Sequence, residues 1–384
     1  MNLGKHPSEA ARMLGGRIRA ARDAAGLSQL EFSKQLEFAD RQTFSAIETG
    51  ERRVQPVELV RISQLLKRPV EWFIDPFVVA GEAQFCWRVG ASVPDAALDA
   101  YEERIGQIVG LLRYLRIALR GPIPALGERL MTPTDPKSVT FEQAHSWGEA
   151  VADRLDLGAV PARRLVEHIE GDFGLPVLFV DSKGPDAMSG AMCRLSNMGV
   201  IVVNRQEAAW RRNFDVAHEL FHALTWDVWT PERREDDAVD SLDTPAPEAK
   251  RRVPRIESLA DNFAAGLLMP MRLLKAAIPA ERLEDAGYLA EVARQFQVST
   301  AALGYRLLNA KLVTKQTQLD LDSIRLESPA ETPKLLSAPF ARLLSEGIAE
   351  GHVSARKAAK ALSMTLEEVA ELLSAYGEAV PFEM

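Results

Sequence analysis

Apolar residues return at helical intervals along most of this chain, and only a few short runs have the character of strands. Residues 14–75 read as a series of short helices. Leu14 to Arg22 forms the first, which closes near Gly26. Ser28-Gln29-Leu30-Glu31 is a capping box that opens the second, with Phe32 and Leu36 facing inward. Asp40 caps a third helix, Arg41 to Glu48, which ends at Gly50. Leu59, Ile62, Leu65 and Leu66 make an amphipathic fourth, and Trp72 and Phe73 seal the bundle. Ala97 to Arg120 carries a helical stripe (Leu98, Ile105, Ile108, Leu112, Leu115) suited to a brace or a dimer helix. Gly121 to Pro136, rich in proline and glycine, reads as linker. Helices are expected at about 141–156 and 161–173. Leu175 to Val180 and Val200 to Asn204 follow as short strands, with Ala191 to Leu195 as a third.

Within the helical stretch Phe214 to Trp226 stands His218-Glu219-Leu220-Phe221-His222. Residues four apart share a helix face, so both imidazoles can reach one metal ion. A metal there lowers the pKa of a bound water, and Glu219 takes its proton as general base. Two histidines on an apolar helix can also be hydrogen-bonded core residues. However, the chain has only six histidines, and two fall at ligand spacing. A catalytic zinc needs a third protein ligand. Arg255 to Pro270 supplies candidates. Its apolar stripe (Ile256, Leu259, Ala260, Phe263, Ala264, Leu267, Leu268) is flanked by Glu257 and Asp261, four apart. Glu257 is the natural ligand and Asp261 its rival. An edge strand beside the metal helix would hold an extended peptide by strand addition. The charged, proline-rich stretch 230–255 reads as a surface loop able to cover the cleft.

Composition adds limits. At 384 residues the chain should hold two or three domains, and 47% hydrophobic residues provide ample core. Two distant cysteines, Cys86 and Cys193, fit a reducing cytoplasm rather than a disulfide framework. No apolar run at the amino terminus resembles a signal peptide. The longest apolar candidate, Ile108 to Leu119, is interrupted by Arg113 and Arg116 and is too short for a bilayer, so no membrane is expected. Net charge is −8, which excludes a globally basic nucleic-acid binder. Residues 1–77 nevertheless carry 12 Lys and Arg against 10 Asp and Glu, leaving about −10 for the remainder.

The run Asn204 to Trp226, with Arg211-Arg212-Asn213-Phe214 leading into H-E-x-x-H, resembles the ImmA/IrrE metallopeptidases. Glu257, Ala260, Phe263-Ala264-Ala265 and Leu267-Leu268-Met269-Pro270 match that family's second signature. Pro176-Val177, Ser189-Gly190-Ala191 and Ile201 to Asn204 fit its small sheet. The resemblance covers about residues 141–315. It implies one Zn²⁺ per chain, with His218, His222 and Glu257 as ligands and Glu219 as base. Leu259 departs from the pattern, standing where many members carry another acidic residue.

A second resemblance, over about 60 residues, is to the XRE (Cro/phage-repressor) helix-turn-helix domain. Leu27-Ser28-Gln29, Phe44-Ser45, Ile47-Glu48-Thr49-Gly50 and Arg52 carry it. In such a domain the third helix lays its first turns in the major groove. Arg41, Gln42, Thr43 and Ser45 offer donors and acceptors for base edges; Gln29, Arg52 and Arg53 suit phosphates. Each of these is equally at home on a solvated helix face. Glu48 is structural, paired with an arginine of the first helix such as Arg19.

Leu289–Phe296 with Thr300–Leu308, and Ser354–Leu362 with Thr365–Tyr376, read as two further helix-turn-helix pairs, capped at Ser299 and Thr365. Such pairs serve packing more often than DNA. The expected fold is mainly α with a small sheet (α+β). A five-helix DNA-binding bundle occupies 1–77, a helical connector and linker 78–140, a zincin-like peptidase domain 141–315, and a C-terminal helical segment 316–384. The expected function is a cytoplasmic, dimeric transcriptional regulator that binds double-stranded operator DNA. Its zinc endopeptidase cleaves a repressor-type protein or itself in response to stress or a mobile element. The alternative is a repressor or antitoxin-like prophage regulator whose peptidase-like domain only senses a ligand or metal. In a third reading it is a processing peptidase whose amino-terminal helices bind protein.

Overall fold

The computed structural model describes residues 9–38, 40–90, 92–121, 135–184, 186–236, 255–327 and 331–383. Most of the 121–136 linker and of the 230–255 loop, with its covering role, lies outside the described residues. Five helices come first: α1 (Glu9–Ala24), α2 (Gln29–Gln35), α3 (Arg41–Glu48), α4 (Pro56–Leu65) and α5 (Val70–Ile74). Strand β1 (Gln84–Val89) and helix α6 (Asp95–Arg120) follow. Next are α7 (Phe141–Arg154), α8 (Leu165–Asp172), β2 (Val177–Val180), β3 (Met188–Arg194), β4 (Gly199–Asn204), α9 (Ala209–Thr225) and β5 (Arg234–Asp236). The rest is helical: α10 (Arg255–Leu268), α11 (Met271–Ala277), α12 (Ala286–Phe296), α13 (Thr300–Asn309), α14 (Lys315–Asp322), α15 (Ala338–Ala349), α16 (Ala355–Leu362) and α17 (Leu366–Ala375). The fold is mainly α with one small sheet, as the periodicity predicts.

Contacts divide the chain into two units. One comprises the described residues of Met1–Gln84, Leu98–Ile123 and Phe340–Met384; the other, those of Phe85–Ala97 and Pro124–Pro339. In the first, Ile18, Phe32, Phe44, Ile47, Ile62 and Phe73 form a shared core beneath α1 to α5. Phe32 and Phe44 meet edge to face at 5.2 Å, an arrangement aromatic rings favour. Ser28 and Glu31 form the expected capping box, and Asp40 accepts from the Thr43 amide at 2.7 Å. Helix α17 carries Glu367 and Glu368 in its first turn. Helix α16 carries Arg356, Lys357 and Lys360, so the pair presents both signs of charge.

In the second unit the strands run in the order β2-β4-β3-β1-β5. Strand β2 is parallel to β4, β3 antiparallel to β4, and β1 parallel to β5. Helix α9 packs on β3 and β4, and α10 packs on both α9 and α7. Val216, Leu220, Phe221, Phe263, Leu267, Met192, Ile201 and Val203 are buried in the common core. Helices α7 and α10 come close because glycines face backbone. A Cβ on Gly148 would stand 2.2 Å from the Phe263 carbonyl oxygen, and one on Gly266 would stand 2.2 Å from that of His145.

Strands β1 and β5 are missing from the sequence reading. Five of the six β1 residues are buried, so the strand has no polar alternation to betray it, and Arg88 interrupts its apolar run. The insertion corrects a further expectation. Strand β3, which lies against α9, is hydrogen-bonded on both sides and offers no free edge to a peptide. The outer strand β2 bonds to a later segment, with the Phe179 amide donating to the Leu336 carbonyl at 3.2 Å.

Candidate metal centre and nucleic-acid interface

Helix α9 is amphipathic, and its buried face carries the polar motif. Val216, Ala217, Leu220 and Phe221 anchor it in the core, while His218, Glu219 and His222 are buried beside them. Helix α10 runs against it, held in part by Phe221 and Phe263 rings 5.5 Å apart, and brings Glu257 opposite the histidines. His218 Nε2 lies 3.1 Å from His222 Nε2. Glu257 Oε2 lies 3.3 Å from each of those nitrogens. His218, His222 and Glu257 are the group of potential metal ligands found among the described residues.

That triangle fits a metal. Tetrahedral zinc with bonds of about 2.0–2.1 Å holds its ligands roughly 3.3 Å from one another. Two nitrogens and one carboxylate oxygen are also a donor set that zinc accepts. The four residues are only 2%, 0%, 0% and 6% exposed in the order His218, Glu219, His222, Glu257. So many polar groups in so dry a place are costly unless something compensates them. Asp261, one turn beyond Glu257, meets the other ring nitrogen of His218: its Oδ1 is 3.0 Å from Nδ1. A carboxylate on the far side of an imidazole fixes its tautomer and leaves Nε2 a lone pair for a metal. The two rival carboxylates therefore stand on opposite sides of the same ring. Glu219 lies under β3, where a Cβ on Gly190 would stand 3.4 Å from its Oε1.

Behind this centre lies a charge cluster that the sequence did not reveal. Asp215 is fully buried, with its Oδ1 3.0 Å from Arg88 Nη1 and 3.3 Å from Arg211 Nε. Arg88 comes from β1 and also stacks its guanidinium 5.5 Å from the Phe214 ring centre. Asp215 precedes His218 by three residues, which places it on the same helix face. That spacing was the one available sign. The partner in β1 is too distant in sequence to infer.

A cleft of about 690 Å³ opens beside Asp261, bounded by Trp210, Phe214, Tyr305, Arg211 and Leu326. His145, on its wall, has its pKa pushed down to about 4 by burial and by the positive charge of Arg306. The first turn of α13, Thr300 to Ala302, also lines this cleft. The second helix of the α12–α13 pair thus borders the metal-site region.

In the amino-terminal bundle Arg41 and Gln42 are exposed at the start of α3, and Thr43 and Ser45 are half-buried. Two other candidates have protein partners. Gln29 donates its amide to Glu48 Oε2 at 2.7 Å. Arg52 binds Glu58 through both terminal nitrogens, at 2.9 and 2.6 Å, and lies over the Phe38 ring. Glu48 is buried as expected, but Arg22 holds it more closely than Arg19 does, at 2.7 against 3.4 Å.

Comparison with known families agrees with both geometries. Residues 172–308 match the IrrE N-terminal-like domain of the peptidase M78 family, a span that includes α9 and α10. Residues 13–71 match a helix-turn-helix domain. The chain joins a helix-turn-helix domain to an IrrE-type peptidase domain. No curated protein matches it. The IrrE-type domain has a metallopeptidase-type fold, and its family is one of zinc-dependent peptidases. No helix among the described residues is long and apolar enough to cross a membrane.

Proposed function

We propose that this protein is a DNA-binding transcriptional regulator carrying its own zinc-dependent endopeptidase. The observation that carries the reading is the triangle of His218 and His222 donor atoms on α9 and a Glu257 oxygen on α10, 3.1–3.3 Å apart, beside Glu219 of α9. The domain assignment is 1–77 for DNA binding, 78–140 for connection apart from β1, which belongs to the peptidase sheet, 141–315 for the peptidase and 316–384 for a helical segment whose described residues from Phe340 onward fall in the first unit. It works in the cytoplasm, in keeping with two buried cysteines that are not joined in a disulfide, and binds a two-fold operator as a homodimer. Arg41, Gln42, Thr43 and Ser45 read bases. Gln29 and Arg52 serve the phosphates less directly, since Glu48 and Glu58 already engage them.

His218, His222 and Glu257 would hold the zinc ion. When bound, it would supply a Lewis acid for a peptide carbonyl and lower the pKa of the attacking water. Glu219 then accepts that water's proton on a carboxylate oxygen and returns it to the leaving amide nitrogen as the C–N bond breaks. Asp261 holds the proton on His218 Nδ1, which keeps Nε2 free to bind the ion. The substrate is a repressor-type protein, or this chain within residues 121–140, cut in response to stress or a mobile element.

The near-complete burial of His222 and Glu219 favours one second reading, a metal-sensing repressor without turnover. A single experiment separates them. Zinc content and control of the chain's own promoter are measured for wild type, His222→Ala and Glu219→Gln. About one zinc per chain in wild type and Glu219→Gln, lost in His222→Ala, supports the metal centre. Loss of promoter response in Glu219→Gln, despite retained zinc, supports catalysis. An unchanged promoter response in Glu219→Gln, alongside its loss in His222→Ala, supports the sensor.

A further inference from the structure

Arg88 lies outside both matched spans, 13–71 and 172–308, in a stretch that reads as a connector. The fold nevertheless inserts its strand beside β3 and brings its guanidinium to the back of the metal centre. The side chain is only 4% exposed. Its Nη1 stands 3.0 Å from Asp215 Oδ1, and its Nη2 3.8 Å from Asp261 Oδ1. That same Asp261 oxygen is 3.0 Å from His218 Nδ1. A continuous line of charge therefore runs from β1 through Asp261 to a metal-ligand imidazole. Arg211, 3.3 Å from Asp215, shares the buried carboxylate on α9, and Phe214 flanks Arg88 with its ring.

We infer that Arg88 is a positioning residue for the metal centre, acting through Asp261 on His218. The inference rests on the reading of His218, His222 and Glu257 as zinc ligands. The physics is direct. Asp261 is an α10 side chain that retains 36% exposure, so its hydrogen bond to His218 competes with water. A fixed cation on its other flank, 3.8 Å from the same oxygen, keeps the carboxylate turned toward the ring. The planar guanidinium can address Asp215 and Asp261 at once, because its nitrogens diverge; a lysine ammonium is a single point and can serve only one of them well. Asp215 ties Arg88 to α9, and Asp261 ties it to α10. One residue of β1 thereby sets the angle between the two helices that carry the ligands. Outer partners of this kind commonly change metal affinity by about 10–100-fold when removed.

The test uses the full-length protein. Zinc dissociation constants are measured by competition with a chromophoric chelator for wild type, Arg88→Lys, Asp261→Asn and the double variant, together with thermal unfolding of the metal-free forms. Arg88→Lys keeps the buried charge that Asp215 needs and so guards against simple failure to fold. The expected result is a loss of zinc affinity of roughly tenfold or more in Arg88→Lys, and little further loss when that change is added to Asp261→Asn. Wild-type zinc affinity in Arg88→Lys, with only the melting temperature lowered, would overturn the inference while leaving the metal centre intact. Equal losses in both backgrounds would also overturn it, because Arg88 would then not act through Asp261. A wild type that takes up no zinc sinks the metal centre and this inference together.

Discussion

Replacing Gly266 by alanine should damage both the stability of the IrrE-type domain and its grip on metal. The added Cβ would sit 2.2 Å from the backbone oxygen of His145 and 2.9 Å from its Cα. Both atoms are main chain and cannot swing aside. Restoring an ordinary contact moves α7 and α10 apart by roughly 1 Å. Overpacking of a close-packed interior costs about 1–3 kcal/mol, and an encounter with backbone belongs at the upper end. A loss of about 3 kcal/mol corresponds to roughly 6–12 °C in melting temperature for a domain of this size. The same helix carries Glu257, so the donor triangle should open and zinc affinity should fall by at least about tenfold. Thermal unfolding with and without a chelator, and zinc competition, read the two effects. Gly171→Ala is the control, since a Cβ there meets nothing within 4 Å. Unchanged melting and zinc affinity in Gly266→Ala would refute the argument that this close approach positions the site.

Three further outcomes are expected. His145 has a folded pKa near 4 against an ordinary value of 6.5, so the unfolded chain takes up its proton first; its contribution is complete above pH 6.5 and is lost as pH falls toward 4. The loss is about 3 kcal/mol, and His145→Gln should flatten denaturation profiles over that interval. Glu48→Gln removes the negative charge opposite the buried Arg22 and turns one of its two acceptor oxygens into a donor, which should cost the amino-terminal bundle about 2–4 kcal/mol. Amide exchange in α1 and α3 should accelerate at least thirtyfold, and a change under threefold would remove Glu48 from the list of bundle-holding residues. Arg41→Ala with Gln42→Ala should abolish mobility shifts on the chain's own upstream DNA while leaving the melting curve in place, because both side chains are exposed; retained binding would count against α3 as the reading helix.

Much of this protein was legible in local patterns. The 3.6-residue period placed α9 and α10, and i, i+4 spacing put His218 with His222 on one face and Glu257 with Asp261 on another. Ser28, Asp40, Ser299 and Thr365 marked helix starts because a cap acts within three residues of itself. What sequence could not decide was which of two equivalent carboxylates faces which nitrogen. Glu257 and Asp261 differ by one helical turn, and only the crossing of α10 over α9 sends one to Nε2 and the other to Nδ1. Nor could it show that Gln29 and Arg52 would turn to Glu48 and Glu58, since a polar side chain looks the same before its neighbour is known. The insertion of β1 is the plainest case. Its buried, non-alternating run has no periodic signature, and its pairing with β3 and β5 spans about a hundred residues or more. Arg88 in a connector says nothing by itself; in the folded sheet it lies against Asp215 and Asp261, on the two helices that carry the candidate ligands.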